Sequence, residues 1–143
     1  MITMRQGRPE DYAGLQNVLQ ACGMCGEMST DYCLVAFEEK SPVGLARLEF
    51  GEGIPHVRPI AVLPQWQGQS IGTRLLRIVI TIFPEVRVVA RGHATGFYGN
   101  LGFEPLTWEE TYPPFRQDCE QCPDRAECNP CPMRYEAASD RRG

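Results

Sequence analysis

Residues 57–76, VRPIAVLPQWQGQSIGTRLL, constrain the fold more than any other stretch. VRPIAV (57–62) is apolar enough for a buried strand. From Ile71 onward, Leu75, Leu76, Ile78, Val79 and Ile82 suit a helix. The segment between them holds Pro64 and Gly68 and has no acidic side chain. A strand that passes into a helix through such a loop presents unshared amides at the positive end of the helix dipole, where an anion is stabilised. Gly68 and Gly72 lack Cβ atoms and let the backbone approach a ligand closely. The loop is neither a Walker loop, since no Gly-Lys-Ser/Thr follows, nor a dinucleotide fingerprint, which needs a third glycine and a parallel βαβ setting. A tight turn with no ligand fits these residues equally well on their own.

The rest of the chain supplies the setting. ITMRQG (2–7) reads as a first strand, Pro9-Glu10-Asp11 as a helix start, and Tyr12, Leu15, Val18, Leu19 and Cys22 as one helical face. Residues 22–30 break the pattern as a loop or a short second helix. YCLVAFEE (32–39) and VGLARLEF (43–50) read as a hairpin turning at Lys40-Ser41-Pro42, and PHVRPIAV (55–62) as a third consecutive strand. A helix over roughly 70–83 stops at Pro84. VRVVA (86–90) is a strand, ATGFYGNLG (94–102) a short helix, FEPLTW (103–108) a strand, and PMRYEA (132–137) a last strand ahead of the frayed tail SDRRG. Residues 109–132, rich in Pro, Cys and charge, read as irregular. The order gives an α/β (α+β) fold: a mixed, mostly antiparallel central sheet of about six or seven strands flanked by helices. The 143 residues make one expected domain, 1–143, including a Cys-rich segment at 112–137.

Composition narrows the function. A net charge of −4 argues against nucleic acid, which selects basic faces. No apolar run reaches membrane-spanning length, and MITMRQGRPED lacks a signal core, so the chain is expected in the cytoplasm with no membrane partner. Seven cysteines are many for such a chain, and in a reducing compartment they point to metal sooner than to disulfides.

Two blocks give the loop a context. IAVLPQWQG leads into Gln67 and Gly72, and HATGFYGNLGFEP (93–105) follows. Together they resemble the GNAT superfamily of acetyl-CoA-dependent N-acetyltransferases over at least residues 2–108. Its phosphate motif is Gln/Arg-x-x-Gly-x-Gly/Ala, and its second segment is Ala-x-x-Phe/Leu-Tyr-x-x-x-Gly-Phe. The resemblance implies a GNAT-like sheet and direct transfer of an acetyl group from acetyl-CoA to a primary amine of a small molecule, conceivably an amino acid. It implies that Ile60, Ala61 and Val62 border the thioester and pantetheine arm, and that Gln67, Gly68, Gln69, Ser70, Ile71, Gly72 and Thr73 hold the diphosphate. Val62 N–H is the expected oxyanion donor. Tyr98 matches the family tyrosine that protonates the departing thiolate; a core aromatic is the other reading.

Ser70 stands where the family usually has glycine. It either takes a left-handed backbone and carries strain, or keeps an ordinary one and offers its hydroxyl to a phosphate oxygen. The strand motif Glu-x-Arg-x-x-Ala-Val reads here His56-Val57-Arg58-Pro59-Ile60-Ala61-Val62. His56 thus replaces a common base and can titrate near neutral pH, and a surface histidine is the alternative. Glu49 and Glu52 are reserve bases. Arg58, inside the motif, is the residue expected to bind the acceptor, from a set that also includes Arg47 and Arg91.

DCEQCPDRAECNPC (118–131) holds two Cys-x-x-Cys pairs. Four soft thiolates at Cys119, Cys122, Cys128 and Cys131 fit tetrahedral structural zinc; an iron–sulfur cluster and free or pairwise-oxidised thiols are the alternatives. Asp118-Cys119, Cys122-Pro123 and Cys128 resemble the C-terminal end of short N-acetylglutamate synthase-like members of the superfamily. Cys22-x-x-Cys25 is assigned no role. The rival functions are a protein or peptide N-acetyltransferase and a non-catalytic CoA-binding module with a metal- or redox-sensing Cys cluster. The oligomeric state is left open, a homodimer being one form.

Overall fold

The computed structural model describes residues 1–24 and 29–137. Residues 25–28, Cys25 among them, and the tail from 138 onward lie outside the described residues. Seven strands form one sheet: β1 (Ile2–Gln6), β2 (Cys33–Glu38), β3 (Ser41–Gly51), β4 (Ile54–Val62), β5 (Glu85–Ala90), β6 (Glu104–Pro105) and β7 (Cys131–Glu136), in the order β1-β2-β3-β4-β5-β7-β6. The β4–β5 pair is parallel, registered at His56 opposite Arg87, whereas β1–β2, β2–β3, β5–β7 and β6–β7 are antiparallel. The helices are α1 (Tyr12–Ala21), α2 (Ile71–Ile82), α3 (Thr95–Asn100), α4 (Pro113–Glu120) and α5 (Arg125–Cys128). The mixed, mostly antiparallel sheet with flanking helices is the one the residue patterning implies.

Contact density divides the chain into two compact units, residues 1–49 with 57–79 and residues 50–56 with 80–143. The first has a core of Leu15, Val18 and Leu19 from α1, Cys33, Val35 and Phe37 from β2, Val43 and Leu45 from β3, Ala61 from β4, and Ile71 and Leu75 from α2. A Cβ on Gly44 would stand 3.3 Å from both the Ala61 carbonyl oxygen and the Ile71 side chain. Its absence lets α2 begin close against the strands. The 2–3 hairpin turns at Glu39-Lys40, where Glu39 has φ 55°, and not at Lys40-Ser41-Pro42. Ser41 and Pro42 belong to β3, and Pro42 pairs with Phe37 beside a register irregularity, where a missing N–H is tolerated.

In the second unit Val86, Val88 and Ala90 alternate inward along β5, and Tyr98, Phe103, Phe115 and Met133 are buried. Here the sequence expectation needs two corrections. The strand at 103–108 shrinks to Glu104–Pro105, because the chain turns into a 3-10 segment at Trp108–Glu110, capped by Thr107 and Glu110 reciprocally. The expected irregular segment contains α4 and α5, with Pro113 and Pro114 opening α4, where a missing N–H costs nothing.

The first strand is tied to the start of α1 by charge. Arg5 donates from Nη1 and Nη2 to the two Asp11 carboxylate oxygens at 2.8 and 3.1 Å, and the Arg8 amide adds a third bond at 2.8 Å. The Arg5 hydrogen bonds, with the Arg8 amide, hold the Asp11 carboxyl below the usual carboxylate range despite its burial. A lowered folded-state value stabilises the fold above the ordinary carboxylate range, and that stabilisation is lost as pH falls through the folded-state value. The urea midpoint is therefore expected to drop as pH is lowered from about 5 to about 3. Asp11→Asn should flatten that slope when the two proteins are titrated side by side, and an unchanged slope would show that this carboxylate is not responsible.

Candidate functional site

β4 ends at Val62 and the chain turns through a 3-10 segment, Pro64–Trp66, before α2. Leu63 donates to the Val43 carbonyl at 2.8 Å and Trp66 to the Leu63 carbonyl at 2.8 Å, so the strand end and the turn are each closed by backbone bonds. The Val62 carbonyl accepts from Gln67 Nε2 at 2.9 Å and from Cys22 Sγ at 3.2 Å. Gln67 thus folds back on the strand and braces the loop, a structural task in addition to any contact with a ligand. Residues 67–70 are exposed, and Ile71, 2% exposed, pins the start of α2 into the core. Burial of such a side chain stabilises by about 2 kcal/mol.

The first bond of the α2 ladder runs from Arg74 N–H to the Ser70 carbonyl at 3.0 Å. The amides of Ile71, Gly72 and Thr73 precede it, so none has a helical acceptor. The first turn carries no acidic side chain. Gly68 has φ 79°, and a Cβ there would meet nothing within 4 Å, which leaves open space beside the backbone. Ser70 has φ 64°. Of its two expected outcomes, the left-handed backbone is the one found. The chain places Ile60, Ala61, Val62, Gln67, Gly68, Gln69, Ser70, Ile71, Gly72 and Thr73 on one continuous strand–loop–helix junction, with aligned amides that suit a diphosphate.

Arg58, on the same strand, donates from Nε to Glu49 Oε2 at 2.7 Å. Arg47 Nη1 lies 3.5 Å from Glu49 Oε1 and donates to the Arg58 carbonyl at 3.2 Å. Glu49 is therefore held between two guanidinium groups.

His56 is 2% exposed, which removes the surface-histidine alternative. Its Nδ1 lies 2.9 Å from the Ile54 carbonyl. A carbonyl can only accept, so Nδ1 carries the hydrogen and the basic lone pair of the neutral ring sits on Nε2. The ring meets Phe115 edge-on at 4.8 Å and Tyr112 at 6.1 Å. It lines a cavity of about 280 Å³ with Glu52, Arg87, Glu109, Tyr112 and Arg116. Neither aromatic neighbour was picked out by motif, and the Pro-Pro start of α4 was the available signal.

Tyr98 is 4% exposed on α3, edge-on to Phe97 at 5.1 Å and to Phe103 at 5.4 Å. Burial pushes its phenol above the ordinary value, so it stays protonated at neutral pH.

Among the described residues no three His, Cys, Asp or Glu side chains are grouped so as to hold a metal, and the expected four-thiolate zinc site is not shown. Cys119 lies in the last turn of α4, Cys122 just beyond it, Cys128 at the end of α5 and Cys131 at the start of β7. Asn129, at φ 49°, redirects the chain before β7, and Cys131 Sγ lies 3.6 Å from the Asn129 carbonyl. Cys122 and Cys128 line a second cavity of about 280 Å³ with Arg91, His93, Asp124 and Glu127.

The mixed, mostly antiparallel sheet, with a fourth strand that leads through a short loop to helix amides lacking helical acceptors, has a GNAT-like form. The acetyltransferase (GNAT) domain family matches this chain over residues 5–112, and the chain belongs to that family. A curated relative, the uncharacterized N-acetyltransferase YjhQ of Escherichia coli, is 36% identical over 70 residues, covering 45% of this chain and 38% of that protein. N-acetylglutamate synthase from Neisseria gonorrhoeae, solved with coenzyme A and N-acetyl-glutamate, superposes with a TM-score of 0.74 at 18% identity, over 95% of this chain and 35% of that one. Arabidopsis thaliana Naa50, solved with the bisubstrate analogue CoA-Ac-MVNAL, gives 0.68 at 16% identity, over 95% and 99%. The chain thus spans less than half the length of the first two. Among the described residues no helix is long and apolar enough to cross a membrane.

Left-handed backbone at a side chain with a Cβ costs about 1 kcal/mol. Ser70→Gly is therefore expected to raise stability by about that amount in urea denaturation. A variant no more stable than the parent would show that the loop does not hold this conformation in solution.

Proposed function

We propose that the chain is an N-acetyltransferase that moves the acetyl group of acetyl-CoA directly to a primary amine of a small molecule. The observation that carries the reading is the start of α2. Three amides without helical acceptors follow a left-handed glycine with open space beside it, and no carboxylate competes for them. This arrangement suits the diphosphate of coenzyme A. The coenzyme supplies an activated thioester carbonyl.

The chain's own residues take the remaining tasks. The amides of Ile71, Gly72 and Thr73 hold the diphosphate, with Gly68, Gln69 and Ser70 shaping its cradle. Ile60, Ala61 and Val62 carry the strand edge for the pantetheine arm, and the Val62 N–H donates to the carbonyl oxygen as charge builds there. His56 Nε2 accepts the proton of the attacking amine. The Tyr98 hydroxyl donates to the departing sulfur. Its raised phenol value makes full proton transfer to a thiolate, with a reference thiol value of about 8.5, uphill, so Tyr98 acts chiefly as a hydrogen-bond donor. Arg58 contacts the acceptor. The two structural neighbours carry different acceptors, an amino-acid product in one and a peptide analogue in the other, so acceptor choice rests on this chain's own side chains.

Titration calorimetry with coenzyme A should show binding and a raised melting temperature, and thiol release from acetyl-CoA over amino acids, polyamines and peptides should reveal the acceptor. Absence of both heat and melting shift would overturn the reading. Tyr98→Phe is expected to lower kcat on the order of 100-fold while coenzyme affinity and melting temperature stay near the parent's. Near-full turnover in that variant would remove the donor role.

A further inference from the structure

We infer that the cavity lined by His56 receives the acceptor as a free amino-acid zwitterion, its carboxylate on Arg116 and its ammonium drawn in by Glu52 and Glu109; the inference rests on the transferase reading above. Glu52, His56, Arg87, Glu109, Tyr112 and Arg116 line this cavity of about 280 Å³, and all six belong to the second compact unit. Arg87, opposite His56 in the β4–β5 register, is committed within the fold. Its Nε donates to Glu85 Oε2 at 2.8 Å and its Nη1 to the Glu110 carbonyl at 3.1 Å. The Glu110 carboxylate is committed too, since its Oε1 accepts from the Thr107 amide at 2.9 Å and from the Thr107 hydroxyl at 2.8 Å. Three charges are left. Among the described residues the side chains of Arg116, Glu52 and Glu109 have no hydrogen-bond or ion-pair partner, although both signs line the same cavity.

The backbone explains why these charges do not neutralise one another. Glu52 is set by the turn between β3 and β4, where it has φ 53°. Glu109 sits in the 3-10 segment that Thr107 and Glu110 cap, and Arg116 follows the buried Phe115 on α4. A guanidinium and carboxylates held apart around one cavity are complementary to a small molecule that carries both charges itself. The two ends differ in weight. Arg116 is half-buried, so a bidentate pair with a carboxylate forms there in partial shelter from water. Glu52 and Glu109 are exposed, and exposed ion pairs contribute little, so they steer the ammonium and do not discriminate. His56, the proton acceptor of the proposed reaction, lines the same cavity as both. The cavity lies at the small end of ligand pockets, which suits a single amino acid and not an extended peptide.

The test measures kcat/KM for acetyl transfer to a free amino acid, to its α-carboxamide and to the amine that lacks the carboxyl group, in the parent, in Arg116→Gln and in the double variant Glu52→Gln/Glu109→Gln. The parent should prefer the free amino acid on the order of 10- to 100-fold. Arg116→Gln should lose most of that preference through the acceptor KM. Its KM for acetyl-CoA and its melting temperature should stay near the parent's, because this side chain makes no bond among the described residues. The double variant should raise the KM for all three acceptors alike and leave the preference standing. A merely structural Arg116 would instead shift all three acceptors equally. Preference retained in Arg116→Gln overturns the inference, and so does a parent that uses the carboxamide, a polyamine or a peptide as well as the amino acid; the transferase reading survives both results. No thiol release with any acceptor sinks the transferase reading, and this inference with it.

Discussion

The junction between β4 and α2 is held by a division of labour between side chains that face inward and amides that face outward. Ile71 and Leu75 are buried against the strands, and Gly44 leaves the room that lets them approach. That anchorage fixes the helix start. The amides of residues 71–73 are left facing away from the ladder because a helix cannot supply them with acceptors. The Val62 carbonyl, taken by Gln67 and Cys22, closes the other side of the turn. The loop's capacity for an anion thus follows from core packing a few residues away, and a change that loosens Ile71 would disperse the amides without touching any of them.

The strand between Glu49 and Arg58 shows a second constraint, electrostatic in kind. Glu49 sits between Arg47 and Arg58, so its carboxylate is engaged in ion pairs with both strands. His56, by contrast, has its tautomer set by the Ile54 carbonyl and keeps a basic nitrogen on the other edge of the ring. In the proposed reading, charge near the acceptor falls to the arginine–glutamate group and proton transfer to His56.

How much of this was legible depends on the range of the interaction. Local periodicity was enough for β1, α1, α2, β5 and β7, and the strand–loop–helix junction at 57–76 was legible because its message lies in adjacent residues. The helix α4 was hidden by its composition. Pro, Cys and charge read as irregular chain, although Pro113-Pro114 is an ordinary helix opening. The burial of His56 could not be read at all, since Tyr112 and Phe115 come from more than fifty residues further on. The cysteine spacing was legible, but spacing does not fix direction. The four cysteines fall on two short helices, the chain between them and the start of β7, with a left-handed Asn129 ahead of the last.

Within residues 1–49 and 57–79 left-handed backbone at a side chain with a Cβ occurs at Tyr32, Glu39 and Ser70, and of these Ser70 falls where a ligand is proposed. Ser70 holds a left-handed backbone that glycine would adopt freely, and Arg47 buries a donor with no acceptor. Ser70 lies next to the amides of α2 that lack helical acceptors, and Arg47 is itself one of the two cations around Glu49 on β3 and β4. Costs of this kind persist where the bound state returns what the empty state gives up. On that logic the left-handed backbone at Ser70 fits the place proposed for the diphosphate of the acyl donor.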